Sequence, residues 1–277
     1  MSDLKNIFLC ADDFGLNHGI TQGILKVARL QRLSAVSCIV NASSFEAHAK
    51  DLLALKNEVR SGLHFNLTEG YFLSLPEKRC FGLKELLIRS HLGILNSRLI
   101  SDELNTQLDH FINVMGELPD FIDGHQHIHQ FPTIRRIIID IYEQRLKGKS
   151  IFIRSTYPSV NMPRYQAKSK ILGITGGKTF SSQLKKTNIP HNPCFAGIYD
   201  FSDRTNYRSL FRQWLDNVPT NTLIMCHPGE GDWNSDIIAA ARARELNYFL
   251  SDGFIQDCKE YKVHLTTGSN KLIDGII

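Results

Sequence analysis

Several features are missing from this sequence of 277 residues, and each absence excludes a class of protein. The six cysteines are far apart and form no Cys-x-x-Cys pair, which argues against a zinc ribbon and against a small disulfide-bonded scaffold. Free, buried thiols in a reducing compartment are the better explanation. No apolar run approaches the roughly 20 residues that span a bilayer, so we expect no membrane partner.

Basic residues are too dispersed to predict a nucleic-acid interface. Lysine and arginine number 32 against 28 acidic residues, which leaves a formal net charge of only +4. No basic run exceeds two residues, and no stripe alternates basic with aromatic residues. We therefore expect no nucleic-acid partner, although an anionic substrate such as a phosphorylated sugar is compatible with this charge.

Familiar catalytic and targeting motifs are also absent. The chain has no Gly-x-Ser-x-Gly nucleophile elbow, no Walker loop and no Gly-x-Gly-x-x-Gly after a strand. Residues 1–6 carry no positively charged segment followed by a long apolar stretch, so no signal peptide is predicted. A cytoplasmic location is the expectation.

What the chain does contain is a regular alternation of short apolar runs with amphipathic stretches. The predicted strands are residues 7–11, 35–41, 59–67, 121–123, 151–155, 195–199, 222–226 and 263–266. The predicted helices are residues 20–31, 45–55, 99–115, 133–146, 207–217 and 235–250. This order predicts an α/β protein, a single-domain β/α barrel over residues 1–277 that is either closed and TIM-like or distorted.

Two stretches interrupt the alternation. Residues 71–96 and 156–186 are predicted to be long loops or insertions, and long loops in compact domains are often functional. Within the second stretch, the glycine-rich residues 173–177 have no strand before them and no helix after them. They are predicted to form a flexible loop.

Polar side chains follow several of the predicted strands at the point where each strand ends. They are Asp12 and Asp13, His64, Asp123 and the histidines after it, Arg154, and His227. Because the C-terminal ends of parallel barrel strands share one rim, which is where such enzymes place their active sites, these groups are predicted to converge there.

The first of these groups allows two interpretations. Asp12 and Asp13 would point in opposite directions on an extended strand, so one could ligate a metal while the other polarises water. Alternatively, an aspartate before Gly15 could simply cap the next helix. Taken alone, His64 is more typical of a hydrogen-bonded core histidine. It supports a metal site only together with the other polar residues at the strand ends.

The segment from Asp123 to His129 is the strongest local signal. His125, His127 and His129 would all point one way if the segment were extended, and His-x-His is a recurring metal-ligand spacing in barrel hydrolases. Asp123 is placed to accept a hydrogen bond that fixes the tautomer of a ligating imidazole. An exposed histidine-rich turn is the alternative, and the spacing does not decide which imidazoles touch an ion.

Two further residues are candidates at the same rim. His227, in a sharp His-Pro-Gly turn, is a candidate general acid with a pKa near the operating pH, or a loop histidine without a role. Arg154 could bind an anionic or carbonyl group of a substrate, or could be only a salt-bridge partner. We take Arg154 and His127 as the candidate substrate-binding residues.

Four segments together, residues 11–15, 62–68, 123–129 and 226–229, resemble the YdjC-like carbohydrate deacetylase family, which includes the chitooligosaccharide deacetylases. The resemblance extends from residue 7 to about residue 250, with the motifs in the expected order. This sequence has Cys10 where the family usually has Asn, which could alter the hydrogen bonding around Asp12. It also has Gly124 where Ser is common, and neither change removes a ligand.

The resemblance implies a β/α barrel that removes acetyl groups from N-acetylated sugars. It implies one divalent cation, Mg²⁺ or Zn²⁺, held by Asp13, His64 and His125, with Asp12 as base and His227 as acid. The implied partner is a small carbohydrate, and a homodimer is compatible with the sequence. The alternatives are a metal hydrolase of a phosphoester or cyclic amide, which a second metal would favour, and a sugar- or metal-binding protein without turnover.

Overall fold

The computed structural model describes residues 4–160, 162–231 and 236–266, and its centre is one curved sheet. The strands are β1 (Lys5–Phe14), β2 (Ala35–Cys38), β3 (Arg60–Phe65), β4 (Phe121–Gly124), β5 (Phe152–Ile153), β6 (Cys194–Ala196), β7 (Thr222–Cys226) and β8 (Val263–Leu265). Seven strands lie in the order β5-β4-β3-β2-β1-β7-β6, and β8 pairs with the start of β1. All these pairings are parallel, so the C-terminal strand ends share one rim.

The inside of the curve is filled by side chains from alternate strand positions, because successive strand residues point to opposite faces. This inner cluster consists of Phe8, Cys10, Ala35, Phe121, Phe152, Phe195, Leu223 and Met225. The rings of Phe121 and Phe152 stack with centroids 5.1 Å apart. A Cβ at Gly62 would lie 2.4 Å from the Phe121 ring, so only glycine leaves room for it. A larger apolar cluster packs between the sheet and the helices.

The sheet closes incompletely between its two edge strands, β5 and β6. The gap is crossed by isolated main-chain hydrogen bonds, such as those from Ile153 N to Pro190 O (2.9 Å) and from Phe195 N to Pro158 O (3.0 Å). Since β5 has only two residues, it cannot support a longer ladder with β6. The predicted α/β fold is therefore confirmed in its distorted form, as a curled and partly open barrel.

The helices lie outside the sheet, and all but α6 bury an apolar face. They are α1 (His18–Arg29), α2 (Ser43–Leu53), α3 (Leu83–His91), α4 (Ser97–Met115), α5 (Pro132–Ile141), α6 (Gln166–Leu172), α7 (Lys178–Lys186), α8 (Tyr207–Asn217), α9 (Ala239–Leu250) and α10 (Asp252–Glu260). Asn17 and Asn96 cap α1 and α4 with their side-chain oxygens. No helix among the described residues is both long and apolar enough to cross a membrane.

Both stretches that were predicted to be long loops contain helices, which corrects that prediction. Helix α3 lies within residues 71–96, and α6 and α7 lie within residues 156–186. The predicted flexible loop is a π-helical turn, Gly173–Gly177, between α6 and α7. The sequence also did not predict α10. The helix predicted over residues 235–250 begins at Ala239 as α9, and residue 235 lies outside the described residues.

A distant side chain, that of Gln130, holds the turn between α6 and α7. The Gln130 amide donates to Leu172 O at 3.0 Å and to Thr175 Oγ1 at 2.9 Å. Gly176, at φ +138°, packs directly on the Gln130 carbonyl, where a Cβ would lie 2.1 Å from the oxygen. These contacts join residues more than 40 positions apart, so a local sequence pattern carries no sign of them.

Candidate metal centre

The two aspartates at the end of β1 leave the strand in different directions because the strand is irregular there. The register with β2 shifts between Ala11 and Phe14, and Asp13 has a φ of +74°, which is uncommon for a residue with a Cβ. Such backbone strain persists where surrounding contacts fix it, often at functional sites. The helix-cap alternative does not apply, because Asn17 is the residue that caps α1.

Asp13, His64 and His125 come together at the predicted rim. One ligand atom from each lies within 4.8 Å of the other two, and all three side chains are buried. Asp13 Oδ1 is 2.9 Å from His125 Nδ1 and 3.3 Å from His64 Nε2. A carboxylate and two imidazoles, converging from β1, β3 and the end of β4, are donors that suit a divalent cation.

His64 is held from behind by a buried carboxylate. Its Nδ1 lies 2.6 Å from Asp123 Oδ1, and the Ser37 hydroxyl also donates to that oxygen at 2.6 Å. Burial alone lowers the pKa of His64, but the Asp123 charge and hydrogen bond outweigh it and raise that pKa to about 10. Asp123 thus occupies the orienting position that the sequence predicted, whereas Ser37 was not identified from the sequence.

Arg154 is an internal ion-pair partner in this structure. Its guanidinium is fully buried and binds both oxygens of Asp12 at 2.6 Å, and Asp123 Oδ2 at 2.6 Å. Its Nη2 also lies 3.0 Å from Cys10 Sγ, so Cys10 does take part in the contacts around Asp12. Because its terminal nitrogens are engaged inside the protein, the geometry favours the salt-bridge interpretation of Arg154 over the predicted contact with substrate.

Arg242 on α9 is a member of the site that the sequence did not reveal. Its Nη2 is 2.7 Å from Asp13 Oδ2, and its Nε is 2.6 Å from Asp236 Oδ2. Burial raises the pKa of Asp13, but Arg242 and His125 more than reverse this and hold that pKa well below its usual value. An arginine inside an amphipathic helix is usually a surface residue, so no local signal distinguished it.

The three histidines of the His-x-His-x-His segment do not point one way, which corrects the expectation for an extended chain. Residues His125–Gln130 form a 3₁₀ turn in which Gln126 and His127 adopt left-handed backbone angles. His125 faces Asp13, His127 packs its ring on Phe195 at 5.7 Å, and His129 is buried. Burial lowers the pKa of His127 well below its usual value, so this ring is neutral at pH 7.

His227 follows β7 and lies half-buried at the same rim. Burial lowers the pKa of His227 to about 4, although the charges of Asp13 and Asp12 oppose that shift. The sequence-based expectation of a pKa near the operating pH is therefore wrong, and the ring is neutral at rest. The interaction with both aspartates nevertheless places His227 within electrostatic reach of the candidate ligand Asp13.

Comparison with known proteins gives a consistent set of relatives. The sequence matches the model of a family described as YdjC-like protein over residues 6–260. It is 35% identical over 147 residues to a carbohydrate deacetylase of Danio rerio, covering 49% of this chain and 45% of that protein. It is 28% identical over 221 residues to a chitooligosaccharide deacetylase of Escherichia fergusonii, covering 79% of each. The chain thus spans less than half of the first relative and most of the second.

Solved structures show the same fold at low sequence identity. A crystal structure from Enterococcus faecalis, described as a candidate cellobiose-phosphate cleavage protein, superposes with a TM-score of 0.72 at 17% identity and covers 95% of this chain and 97% of that one. A peptidoglycan N-acetylglucosamine deacetylase superposes with a TM-score of 0.50 at 12% identity and covers 94% of this chain and 84% of that one. At these identities the likeness concerns the barrel alone.

Proposed function

The chain belongs to the YdjC-like family, and on that premise we propose that it is a metal-dependent carbohydrate N-deacetylase that releases acetate from N-acetylglucosamine-type sugars or their phosphates. The observation that carries the proposal is the convergence of Asp13, His64 and His125 within 4.8 Å at the rim. The names of the relatives support the substrate class. We propose residues 1–277 as one catalytic domain.

The residues that would hold the cation are Asp13, His64 and His125, and their one carboxylate and two imidazoles fit Zn²⁺ or Mg²⁺. When bound, the cation supplies Lewis acidity to the acetamide carbonyl and to the attacking water. Arg242 keeps one Asp13 oxygen engaged at 2.7 Å and leaves the other directed at the two imidazoles. Asp123 fixes the ring orientation of His64 through its contact with His64 Nδ1, which leaves Nε2 free to face the cation.

Asp12 is the proposed base. Its carboxylate is buried, and Arg154 clamps both of its oxygens at 2.6 Å, which fixes its orientation beside the ligand group. In the proposed reaction, Asp12 accepts a proton from the attacking water. His227 is neutral at rest, so in the proposed reaction it receives the proton that Asp12 took from the water and delivers it to the leaving amine, which returns Asp12 to the carboxylate. His127 is the proposed substrate contact, since it is a half-buried residue of the turn that also carries His125.

One observation weighs against the alternative of a two-metal phosphoesterase. The other cluster of potential ligands among the described residues is Cys10, Asp12 and Asp123. The Arg154 guanidinium already lies 2.6 Å from both carboxylates and 3.0 Å from the thiol. A cation in this cluster would have to displace a fully buried arginine, so the geometry favours a single ion.

The test measures acetate release from N-acetylglucosamine oligomers by metal-loaded protein, with and without a chelator, together with metal content. We expect activity with about one ion per chain. Asp12→Asn should lower kcat by about 10³-fold while it retains the ion, whereas Asp13→Asn should lose both. Asp102→Asn, an exposed carboxylate on α4, is the control. Absence of acetate release over a broad panel of N-acetyl compounds would refute the substrate class.

A further inference from the structure

His227 has an unusual environment for a proton donor. Its Nδ1 is buried and has no hydrogen-bond partner among the described residues. Catalytic histidines are normally oriented by a hydrogen bond to one ring nitrogen, as Asp123 does for His64. The orientation of the His227 ring therefore has to come from contacts other than a side-chain hydrogen bond.

The main chain of His227 is anchored by a buried carboxyl group. Its N–H donates to Glu245 Oε2 at 2.5 Å, and the Tyr199 hydroxyl donates to Glu245 Oε1 at 2.5 Å. Glu245 lies on α9 and is fully buried. Among the described residues no lysine or arginine donates a hydrogen bond to it, although the charge of Arg242 acts on it from a distance. It joins the end of β7 to the segment that follows β6.

A second path leads from the same carboxyl group to the ring of His227. Tyr199 packs on Phe201 with centroids 4.4 Å apart, and the Phe201 ring lies 5.4 Å from that of His227 at an angle of 80°. Phe201 has a φ of +59°, a strained conformation for a residue with a Cβ. Arg244 on α9 holds this turn by donating to the Phe201 carbonyl at 3.2 Å.

We propose that Glu245 is the positioning residue for His227, acting through its main-chain N–H and through the Tyr199–Phe201 pair. This inference rests on the proposed deacetylation, in which His227 delivers a proton to the leaving amine. A small displacement of a catalytic group lowers a rate by up to about 100-fold, so the anchor should act on kcat. It should leave metal binding unchanged, because Glu245 contacts none of the three proposed ligands.

The experiment compares Glu245→Gln, Glu245→Leu and Tyr199→Phe. Glutamine keeps an oxygen that accepts from the His227 N–H, so Glu245→Gln should retain kcat within about 3-fold. Glu245→Leu removes both acceptors and should lower kcat by about 100-fold, with KM and metal affinity within about 3-fold. Tyr199→Phe breaks only the second path and should lower kcat by about 10-fold.

Tyr248→Phe is the matched control, because it removes a tyrosine hydrogen bond (3.0 Å) to another buried carboxylate, Asp257, on a different helix. It should leave kcat unchanged. Should Glu245→Leu fail to fold, Glu245→Gln and Tyr199→Phe decide the matter. Wild-type kcat in Tyr199→Phe, or a glutamine variant as impaired as the leucine variant, would overturn the proposal.

A second readout does not depend on activity. In histidine-selective ¹⁵N NMR, the His227 amide proton of the wild-type protein should resonate downfield, as short hydrogen bonds to a carboxylate do. It should stay there in Tyr248→Phe and move upfield in Glu245→Leu. An unshifted amide in Glu245→Leu would refute the anchor, even in a protein that releases no acetate. An intact anchor without acetate release would refute only the proposed reaction.

Discussion

His64 and His227 are two imidazoles at one rim, and in the metal-free protein their surroundings shift their pKa values in opposite directions. His64 has the Asp123 carboxylate 2.6 Å from its Nδ1, and its pKa rises to about 10. His227 has no partner on its Nδ1 among the described residues, and burial lowers its pKa to about 4. Burial alone favours a neutral imidazole, so the contact with Asp123, supported by Asp13 and Asp12, decides the outcome for His64.

The difference extends to how each ring is held. On the His64 side, buried charges form a continuous chain from Asp12 through Arg154 to Asp123. On the His227 side, the contacts are a main-chain hydrogen bond and aromatic packing. A carboxylate in direct contact with an imidazole raises its pKa, whereas the charges near His227 make no hydrogen bond to its ring and do not outweigh burial. Four variants test this difference between the His64 side and the His227 side.

The largest effect is expected from breaking the charge network at its centre. Arg154→Met leaves Asp12 and Asp123 buried without their cation, and breaking a buried ion pair costs about 3–5 kcal/mol. Denaturant unfolding should show this loss. Arg98→Met, at a guanidinium that is 92% exposed, should change stability by less than about 0.5 kcal/mol. A loss below about 1 kcal/mol in Arg154→Met would show that the network is not a stabilising unit.

The second prediction concerns the anchor on the His227 side. Burial raises the pKa of Glu245 to about 7, although its hydrogen bond from His227 opposes the rise. Between about pH 4.5 and pH 7 the folded state therefore holds a proton that the unfolded state releases, and stability falls as pH rises through this window. Across this window, the raised pKa of Glu245 lowers the free energy of unfolding by about 3 kcal/mol.

Glu245→Gln should remove this pH dependence, because a glutamine side chain does not titrate. The difference in unfolding free energy between variant and wild type should shift in favour of the variant by about 3 kcal/mol between pH 4.5 and pH 8. Parallel stability curves for the two proteins across this range would show that Glu245 does not titrate there.

A third variant should make His64 resemble His227. Asp123→Asn removes the largest charge that opposes burial, so the pKa of His64 in metal-free protein should fall well below 10, as histidine NMR can measure. Loss of an orienting carboxylate typically weakens metal binding by about 10–100-fold. Asp120→Asn, just before β4, should leave metal affinity unchanged. An unchanged His64 pKa in Asp123→Asn would show that Asp123 is not the cause of the difference between His64 and His227.

The smallest effect is expected at Ser37, whose hydroxyl donates to Asp123 at 2.6 Å. Ser37→Ala removes one buried hydrogen bond and should cost about 1 kcal/mol of stability. Metal affinity should fall by less than about 10-fold, since Asp123 itself remains. A loss as large as that of Asp123→Asn would mean that the serine, and not the carboxylate charge, orients His64.

Much of the fold followed from local patterns. The strand at Thr222–Cys226 and the helix at Tyr207–Asn217 have the predicted bounds, because each is a short segment whose apolar periodicity matches its burial. Helices α3, α6, α7 and α10 were not predicted. Two of these, α6 and α7, flank a turn held by the distant Gln130, and an isolated helix of their length is marginal without such contacts.

By itself, the sequence predicted that Asp13, His64 and His125 lie at the C-terminal ends of strands in one parallel sheet, because parallel strands bring those ends to one rim whatever the loops between them do. The family resemblance singled out these three as ligands. Only the tertiary structure decided the electrostatics. Arg242 is 229 positions from Asp13, and Arg154 is 142 positions from Asp12. The pKa of a buried group depends on charges a few ångströms away in space, and the order of residues along the chain does not specify those neighbours.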